Sequence, residues 1–393
     1  MKRPEILIIC THFGHFEAAY RRLSYFVKYL RLKKLRVHCA GFLQISRQGL
    51  IKPSGECYEI PLIVSTNNYV INFMLNPILS FAIMLVILIL RPKIVVVSIP
   101  DSFPVLASYM SCFIIRSKLI IDVRDPQEEI AAHIYRKGLA GLIAKLYRRI
   151  NYSMYRRAHA VVGVTRTLIT VLAREIRRPV YYVPNGADLD VFKPISKEEA
   201  RRKLGFDRDS VLITYVGYLS SYGYYNILPV LRAIRRIGER SGINVKLVVA
   251  GPIYDGSVKR IFESFKDEFE YVGVLDTEKV VTLLSACDIG IIPRVGDPVY
   301  NYAVPAKFYE YIAMGLPLIV ITNKESELAK IVKENKLGFV CEPEDQVCLE
   351  TSILALANNR NLLNEFKRNV LLFRRHIDRR IGAVRLYKLI INL

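Results

Sequence analysis

The sequence predicts an α/β protein of 393 residues built as two parallel-sheet domains. Three observations carry the prediction. Short apolar runs such as Ile94 to Ile99 and Val245 to Ala250 are continuous rather than alternating, as strands buried on both faces are. Segments long enough for crossover helices separate these runs. The pattern fills each half of the chain without an eightfold series, so two domains fit better than one barrel.

The first half opens as strand, turn, helix, strand. Ile6 to Cys10 is the strand, Thr11-His12-Phe13-Gly14-His15 the turn, Glu17 to Lys34 the helix and Arg36 to Ala40 the second strand. Lys2 and Arg3 precede only a short apolar run, so the start reads as this strand and not as a signal peptide. Ile94 to Ile99, Lys118 to Asp122, Ala160 to Val164 and Val180 to Val183 continue the series. The second half has strands at Val211 to Gly217, Val245 to Ala250, Tyr271 to Val274, Ile289 to Pro293 and Pro317 to Ile321. Its helices are expected at Asn226 to Arg240, Val280 to Ala286 and Lys307 to Met314. The domain boundary is expected near Asn185 to Pro194. The terminal segment from Asn361 is helical in parts and is expected to pack back across the first domain.

Composition narrows the function classes. An apolar fraction of 52% and a charged fraction of 24% exclude a disordered chain. Seven cysteines lack Cys-x-x-Cys spacing and no compact His/Cys cluster occurs, which argues against structural zinc and a disulfide-stapled secreted domain. The net charge is +21 and uneven: residues 1–194 hold 28 basic against 12 acidic side chains, and the remainder 29 against 24. A basic first half points to an anionic membrane, a phosphorylated substrate or nucleic acid, or is a solvated surface with no dedicated partner. No zinc finger or aromatic single-strand module supports a specific nucleic-acid role.

Two segments bear on membranes. Tyr69 to Leu90 is uncharged over 22 residues, long enough to cross a bilayer. Its place in the α/β series favours a crossover helix, buried or touching lipid with its outer face. The helix from Ala19 to Arg36 interleaves Leu23, Phe26, Val27 and Leu30 with Arg21, Arg22, Lys28 and Arg31. It either covers the sheet or also lies on an anionic membrane with its basic face.

The segment Pro305-Ala306-Lys307-Phe308-Tyr309-Glu310-Tyr311-Ile312-Ala313-Met314-Gly315-Leu316-Pro317 is the most informative. Pro305 suits the first helical position, Gly315 closes the helix, and Pro317 stops it resuming. Glu310 then sits in a short helix, where its carboxylate can accept from ribose hydroxyls.

This run resembles the signature of retaining glycosyltransferase family 4, on the GT-B fold of two Rossmann-like parallel-sheet domains facing an interdomain cleft. Asn185-Gly186-Ala187-Asp188 with Phe192 and Pro194 resembles the family's interdomain junction. Val216-Gly217-Tyr218-Leu219, Ala250-Gly251-Pro252, Val272-Gly273-Val274 and the run from Leu284 to Pro293 resemble successive donor-domain segments. Asp122-Val123-Arg124-Asp125 resembles a first-domain loop of members acting on lipid-linked acceptors. The resemblance spans about residues 5–375. It implies an acceptor-side domain over 1–184, a donor domain over 185–365 and a helical segment over 366–393. It implies hexosyl or N-acetylhexosaminyl transfer from a nucleotide-sugar to a lipid-linked or surface-glycan acceptor, without a metal or other cofactor. It also implies a cytoplasmic protein, peripheral on the inner face of the plasma membrane.

The resemblance carries residues over one by one. Glu310 and Asp125 take the catalytic positions. Gly14, Gly217, Tyr218, Arg294, Tyr302, Lys307 and Glu310 are the donor-binding set. His12, His15 and Arg124 lie on the acceptor or phosphate side. Three departures stand out. The first of two glutamates is replaced by Tyr302. The usual Arg and Lys of the pyrophosphate clamp are Tyr218 and Gly223, which leaves Arg294 and Lys307 as replacements. A histidine of many members is Asp125, fit to orient the acceptor or act as a base. Tyr222, Tyr224 and Tyr225 stack on a base or sugar, or form a loop cluster. Two alternatives stay open: a non-catalytic nucleotide-sugar-binding subunit and a sugar-nucleotide 2-epimerase of the same fold. The absence of a three-glycine dinucleotide fingerprint argues against a nicotinamide enzyme.

Overall fold

A computed structural model describes every residue except 1–4, 14–17, 44, 47, 48, 51–57, 61–68, 100–102, 136, 220–224, 254 and 255. The chain divides into two units, Met1–Asn185 with Arg379–Leu393, and Gly186–Asp378.

The first unit holds a parallel sheet of seven strands: β1 Ile6–Phe13, β2 Val37–Leu43, β3 Tyr58–Ile60, β4 Ile94–Ile99, β5 Lys118–Val123, β6 Ala160–Gly163 and β7 Tyr181–Tyr182. Their order is β3-β2-β1-β4-β5-β6-β7. Ile6 pairs with Val37 on one side and Ile94 on the other, so the order reverses at β1. β1 runs on to Phe13, past the turn expected at Thr11, because its pairing with β2 continues beyond an irregularity between Cys10 and Phe13. A small antiparallel ribbon, Ile45–Ser46 with Gly49–Leu50, lies outside the main sheet.

Helix Ala18–Leu32 makes the crossover from β1 to β2 and buries Leu23, Phe26, Val27 and Leu30. Helix Arg379–Ile391 packs on it through Ala383, Leu386 and Ile390, with Tyr29 edge-on to Tyr387. The basic face read from spacing needs one correction. Arg22 is not on it but is 2% exposed, because it pairs with Asp122 inside the unit. Tyr69–Leu90 is a single helix packed along helix Phe103–Ile115. Ile83 and Ile87 face inward. The place of Tyr69–Leu90 between β3 and β4 and its buried inner side make it a crossover helix of the fold.

The second unit repeats the plan with β8 Val211–Val216, β9 Val245–Ala250, β10 Phe269–Tyr271, β11 Ile289–Pro293, β12 Leu318–Ile321 and β13 Gly338–Cys341, all parallel. The order is β10-β9-β8-β11-β12-β13. In such doubly wound sheets ligands bind beyond the carboxyl ends of strands where the order reverses, here β8 and β11. β10 starts earlier than the expected Tyr271 and stops before Gly273, whose φ of 82° ends the extended run. Helix Leu228–Ser241 buries Val230, Leu231, Ile234 and Ile237 against this sheet, and Gly242 with φ 67° closes it. Asp288, read as part of a family motif, is structural. It accepts from buried Arg201 at 2.8 Å and from the Leu212 amide at 3.0 Å, and so ties helix Lys197–Leu204 to β8. Cys341 and Cys348 form a disulfide that joins β13 to helix Gln346–Asn358, a pairing the sequence spacing did not signal.

Candidate functional site

The best-formed polar site lies at the carboxyl end of β8. Gly217 follows the strand with φ 156°. A side chain there would meet the Lys307 Nζ at 2.8 Å and the Tyr215 hydroxyl at 3.2 Å. Gly251, at the end of β9, is tighter still: a Cβ would lie 1.9 Å from the Gly217 carbonyl oxygen. Only glycine lets these two strand ends come together. Tyr311 fixes the end of β8 from below. Its ring lies against Gly290, and its hydroxyl accepts from the Val216 amide at 2.9 Å.

Helix Ala306–Ala313 supplies the charged groups. Pro305 is the residue that caps this helix, not the first helical residue expected, because its ψ of 152° is extended. The other end is as expected. Gly315 has φ 76°, its amide donates to Ile312 O, and the Leu316 amide donates to Tyr311 O at 3.0 Å. This pair of bonds is a Schellman closure. Gly315→Val should therefore cost about 1–2 kcal/mol of stability through the left-handed backbone. An unchanged denaturation midpoint would reject that geometry.

Lys307 and Glu310 are three residues apart and share one helix face. Both are buried, at 6% and 7% exposure. The Lys307 Nζ lies 3.9 Å from the Tyr215 ring centre and 3.5 Å from that of Tyr225, and it makes no hydrogen bond. Burial holds its pKa well below the usual lysine range; Glu310 raises it and Arg294 lowers it further. Burial also holds the phenols of Tyr215 and Tyr311 protonated. Arg294 follows β11 and is buried. It donates to Ala303 O at 2.8 Å and lies over the Tyr300 ring. The 3-10 turn Pro298–Tyr302, capped by Asp297, carries Tyr302. Tyr218 is edge-on to Tyr225, 5.9 Å between ring centres. Six predicted donor residues therefore belong to the second unit: Gly217, Tyr218, Arg294, Tyr302, Lys307 and Glu310. Gly217, Lys307, Glu310 and Arg294 are linked by contact or charge. Tyr215 and Tyr225 complete the cradle; sequence reading named Tyr225 only as a possible stacking residue and passed over Tyr215.

In the first unit the loop after β5 holds Arg124 and half-buried Asp125. Arg124 presents Nε and Nη2 buried without a hydrogen bond. Asp122 is not a ligand-facing group. It accepts from Arg22 at 3.0 Å and from Ser98 at 2.9 Å. Arg22 also donates to Val183 O, Pro184 O and Asn185 Oδ1. Sequence reading missed Glu128, which is fully buried in helix Gln127–Ile134 and accepts from Asn151 and Tyr155. Burial raises its pKa. A Glu-Glu pair just after the Asp125 loop was the available signal. His12 lies in β1 with its side chain outside the described residues, as are Gly14, His15, Tyr222, Gly223 and Tyr224. Among the described residues no group of three His, Cys, Asp or Glu side chains is placed to hold a metal.

Residues 196–371 match the family model described as glycosyl transferases group 1. Over the whole chain the structure is similar to sucrose-phosphate synthase from Thermosynechococcus elongatus, with a TM-score of 0.71, 16% identity and 98% of both chains covered. It is also similar to Anabaena HepE, solved with UDP and glucose, with a TM-score of 0.66 and 13% identity over 99% of this chain and 100% of that one. The chain has the GT-B fold. The GT-B chain is 24% identical over 245 residues to Probable glycosyltransferase WbjE of Pseudomonas aeruginosa, covering 59% of this chain and 58% of that protein. It is 26% identical over 195 residues to D-inositol 3-phosphate glycosyltransferase 2 of Catenulispora acidiphila, covering 47% of this chain and 44% of that one. It thus spans about half the length of these relatives.

Proposed function

We propose that the protein is a retaining glycosyltransferase that moves a hexosyl or N-acetylhexosaminyl group from a nucleotide-sugar to a lipid-linked or surface-glycan acceptor. The observation that carries the reading is Lys307, a buried amine without a hydrogen bond beside Gly217, with Arg294 and Glu310 within electrostatic reach. A buried amine held only by aromatic rings and making no hydrogen bond is costly to charge, and an anion placed against it offsets that cost. The donor pyrophosphate would sit against Lys307, Arg294 and the backbone at Gly217, with Glu310 accepting from the ribose and Tyr302 or nearby backbone contacting the sugar. In HepE, which shares the fold, the bound molecules are UDP and glucose, so UDP-sugars are the first donors to test.

The reaction breaks the bond between the anomeric carbon and the donor phosphate oxygen. The acceptor oxygen bonds to that carbon on the same face, and its proton passes to the departing phosphate. Lys307 and Arg294 stabilise the charge that grows on the leaving diphosphate. Asp125 and Arg124 orient the acceptor. The basic first half suits a phosphate-bearing lipid acceptor at the inner face of the plasma membrane.

A panel of sugar-nucleotides, read by nucleoside diphosphate release with and without extracted membrane lipids, tests this. Lipid-stimulated release from one donor is the expected result. Binding of a nucleoside diphosphate without release from any donor would instead leave a binding subunit. Asp125→Asn should lower transfer at least about tenfold with little change in donor binding; small, equal effects on both would assign Asp125 to structure alone.

A further inference from the structure

Three crossover helices of the first unit run in the same direction across the sheet: Tyr69–Leu90 from β3 to β4, Phe103–Ile115 from β4 to β5, and Gly138–Arg157 from β5 to β6. Right-handed crossovers place all three on one side of the sheet. Each packs on the next. Helix Ala18–Leu32 crosses in the opposite direction and so lies on the other side, where helix Arg379–Ile391 covers it.

The outer face of this trio is apolar. Phe81, Leu85 and Ile89 recur at helical spacing along the first helix and are exposed, Ile89 to 75%. Met110 and Phe113, the latter 78% exposed, continue the face on the second helix, and Leu146 on the third. Isolated exposed apolar residues need no explanation, but a stripe continued over adjacent helices marks an interaction surface. None of the three helices contains an Asp or Glu, and the carboxylates of Glu129 and Glu175, which reach the third helix, are paired with its Arg148. Lys145 and Arg149 are exposed beside Leu146, and Arg116 is exposed just after Phe113.

We propose that this three-helix face is the surface by which the protein docks on an anionic lipid bilayer, with the apolar side chains among the acyl chains and the cations at the headgroups. Apolar residues bordered by lysine and arginine, on helices that carry no carboxylate of their own, complement such a membrane. A symmetric pairing of two copies would set the same cations against each other, which disfavours self-association through this face. The inference deepens the proposed reading, since a lipid-linked acceptor is met at a membrane. It moves the contact away from helix Ala18–Leu32, whose apolar side and internal Arg22 are spent on the fold.

The test is co-sedimentation of the full chain with phosphatidylcholine vesicles, with and without phosphatidylglycerol, at low and high salt and without donor or acceptor. The wild type should bind only the phosphatidylglycerol vesicles, and less at high salt. Phe81→Ser, Ile89→Ser and Phe113→Ser combined should lower partitioning at least about tenfold. Lys145→Glu with Arg149→Glu should do the same at low salt, since each cation near the surface is worth about fivefold. Lys28→Glu with Lys34→Glu, on the other side of the sheet, should change little. No wild-type binding, or binding unchanged in both face variants, overturns the proposal. A wild-type dimer dispersed by the triple substitution, with no vesicle binding, overturns it in favour of a second copy. Nucleoside diphosphate binding is measured in the same proteins and should be unchanged in every variant, so failure of this surface is distinguishable from failure of the donor reading.

Discussion

Lys307→Met lowers kcat/KM for the nucleotide-sugar by about 10²–10³-fold, the usual cost of removing a group that stabilises charge in the transition state. The structure gives the reason for expecting a loss at the upper end. The Lys307 amine has no hydrogen bond to replace and no second use in the fold; it is held by two tyrosine rings beneath Gly217. The same substitution should leave the protein as stable as before or more so near neutral pH. Burial depresses the folded-state pKa of Lys307 below its unfolded value. Between those two values the unfolded chain binds the extra proton, so this group makes stability rise with pH through that window and carries its full penalty below it. Removing the amine removes the penalty. Steady-state kinetics and urea denaturation of the variant across neutral and mildly alkaline pH check both halves. Lost activity together with lost stability would make Lys307 a structural residue.

Arg22→Met destabilises the first unit by about 3–5 kcal/mol, the range for a buried ion pair stripped of one partner. Asp122 would be left as a buried carboxylate with only Ser98 and no counter-ion. The carbonyls of Val183 and Pro184, where the chain leaves β7, would lose their donor too. The variant Lys28→Met, at an exposed position on the same helix, should stay within about 0.5 kcal/mol of wild type. Arg22→Met with Asp122→Leu should recover part of the loss, because no uncompensated charge then remains. Equal small effects at Arg22 and Lys28 would mean that the pair does not hold the unit together.

The fold was legible where the sequence carries uninterrupted apolar runs. β4, β9 and β11 match their expected limits, because strands buried on both faces leave a continuous signal. The edge strands Tyr58–Ile60 and Gly338–Cys341 were not read, because runs of only 3 and 4 residues leave too little pattern to distinguish from a loop. At the site, the helix bearing Lys307 and Glu310 was legible from its closing Gly315 and its Pro-x-Lys-x-x-Glu run. Tyr215 was not, because one tyrosine in a buried strand looks like core until the strand end and helix Ala306–Ala313 are brought together. Arg22 misled for the opposite reason. Helical spacing assigns a side to a residue, but its partner Asp122 is 100 residues away and invisible to periodicity.

Calorimetric titration with UDP, GDP and ADP in two buffers of different ionisation enthalpy bears most directly on the donor site. Burial holds the Lys307 pKa well below the usual lysine range, and a diphosphate placed against it would favour the charged form and raise that pKa. One of the diphosphates should bind with net proton uptake, its affinity should fall as pH rises, and Lys307→Met should abolish the uptake and weaken binding at least about tenfold. Binding of equal strength and equal buffer response in wild type and Lys307→Met would contradict it.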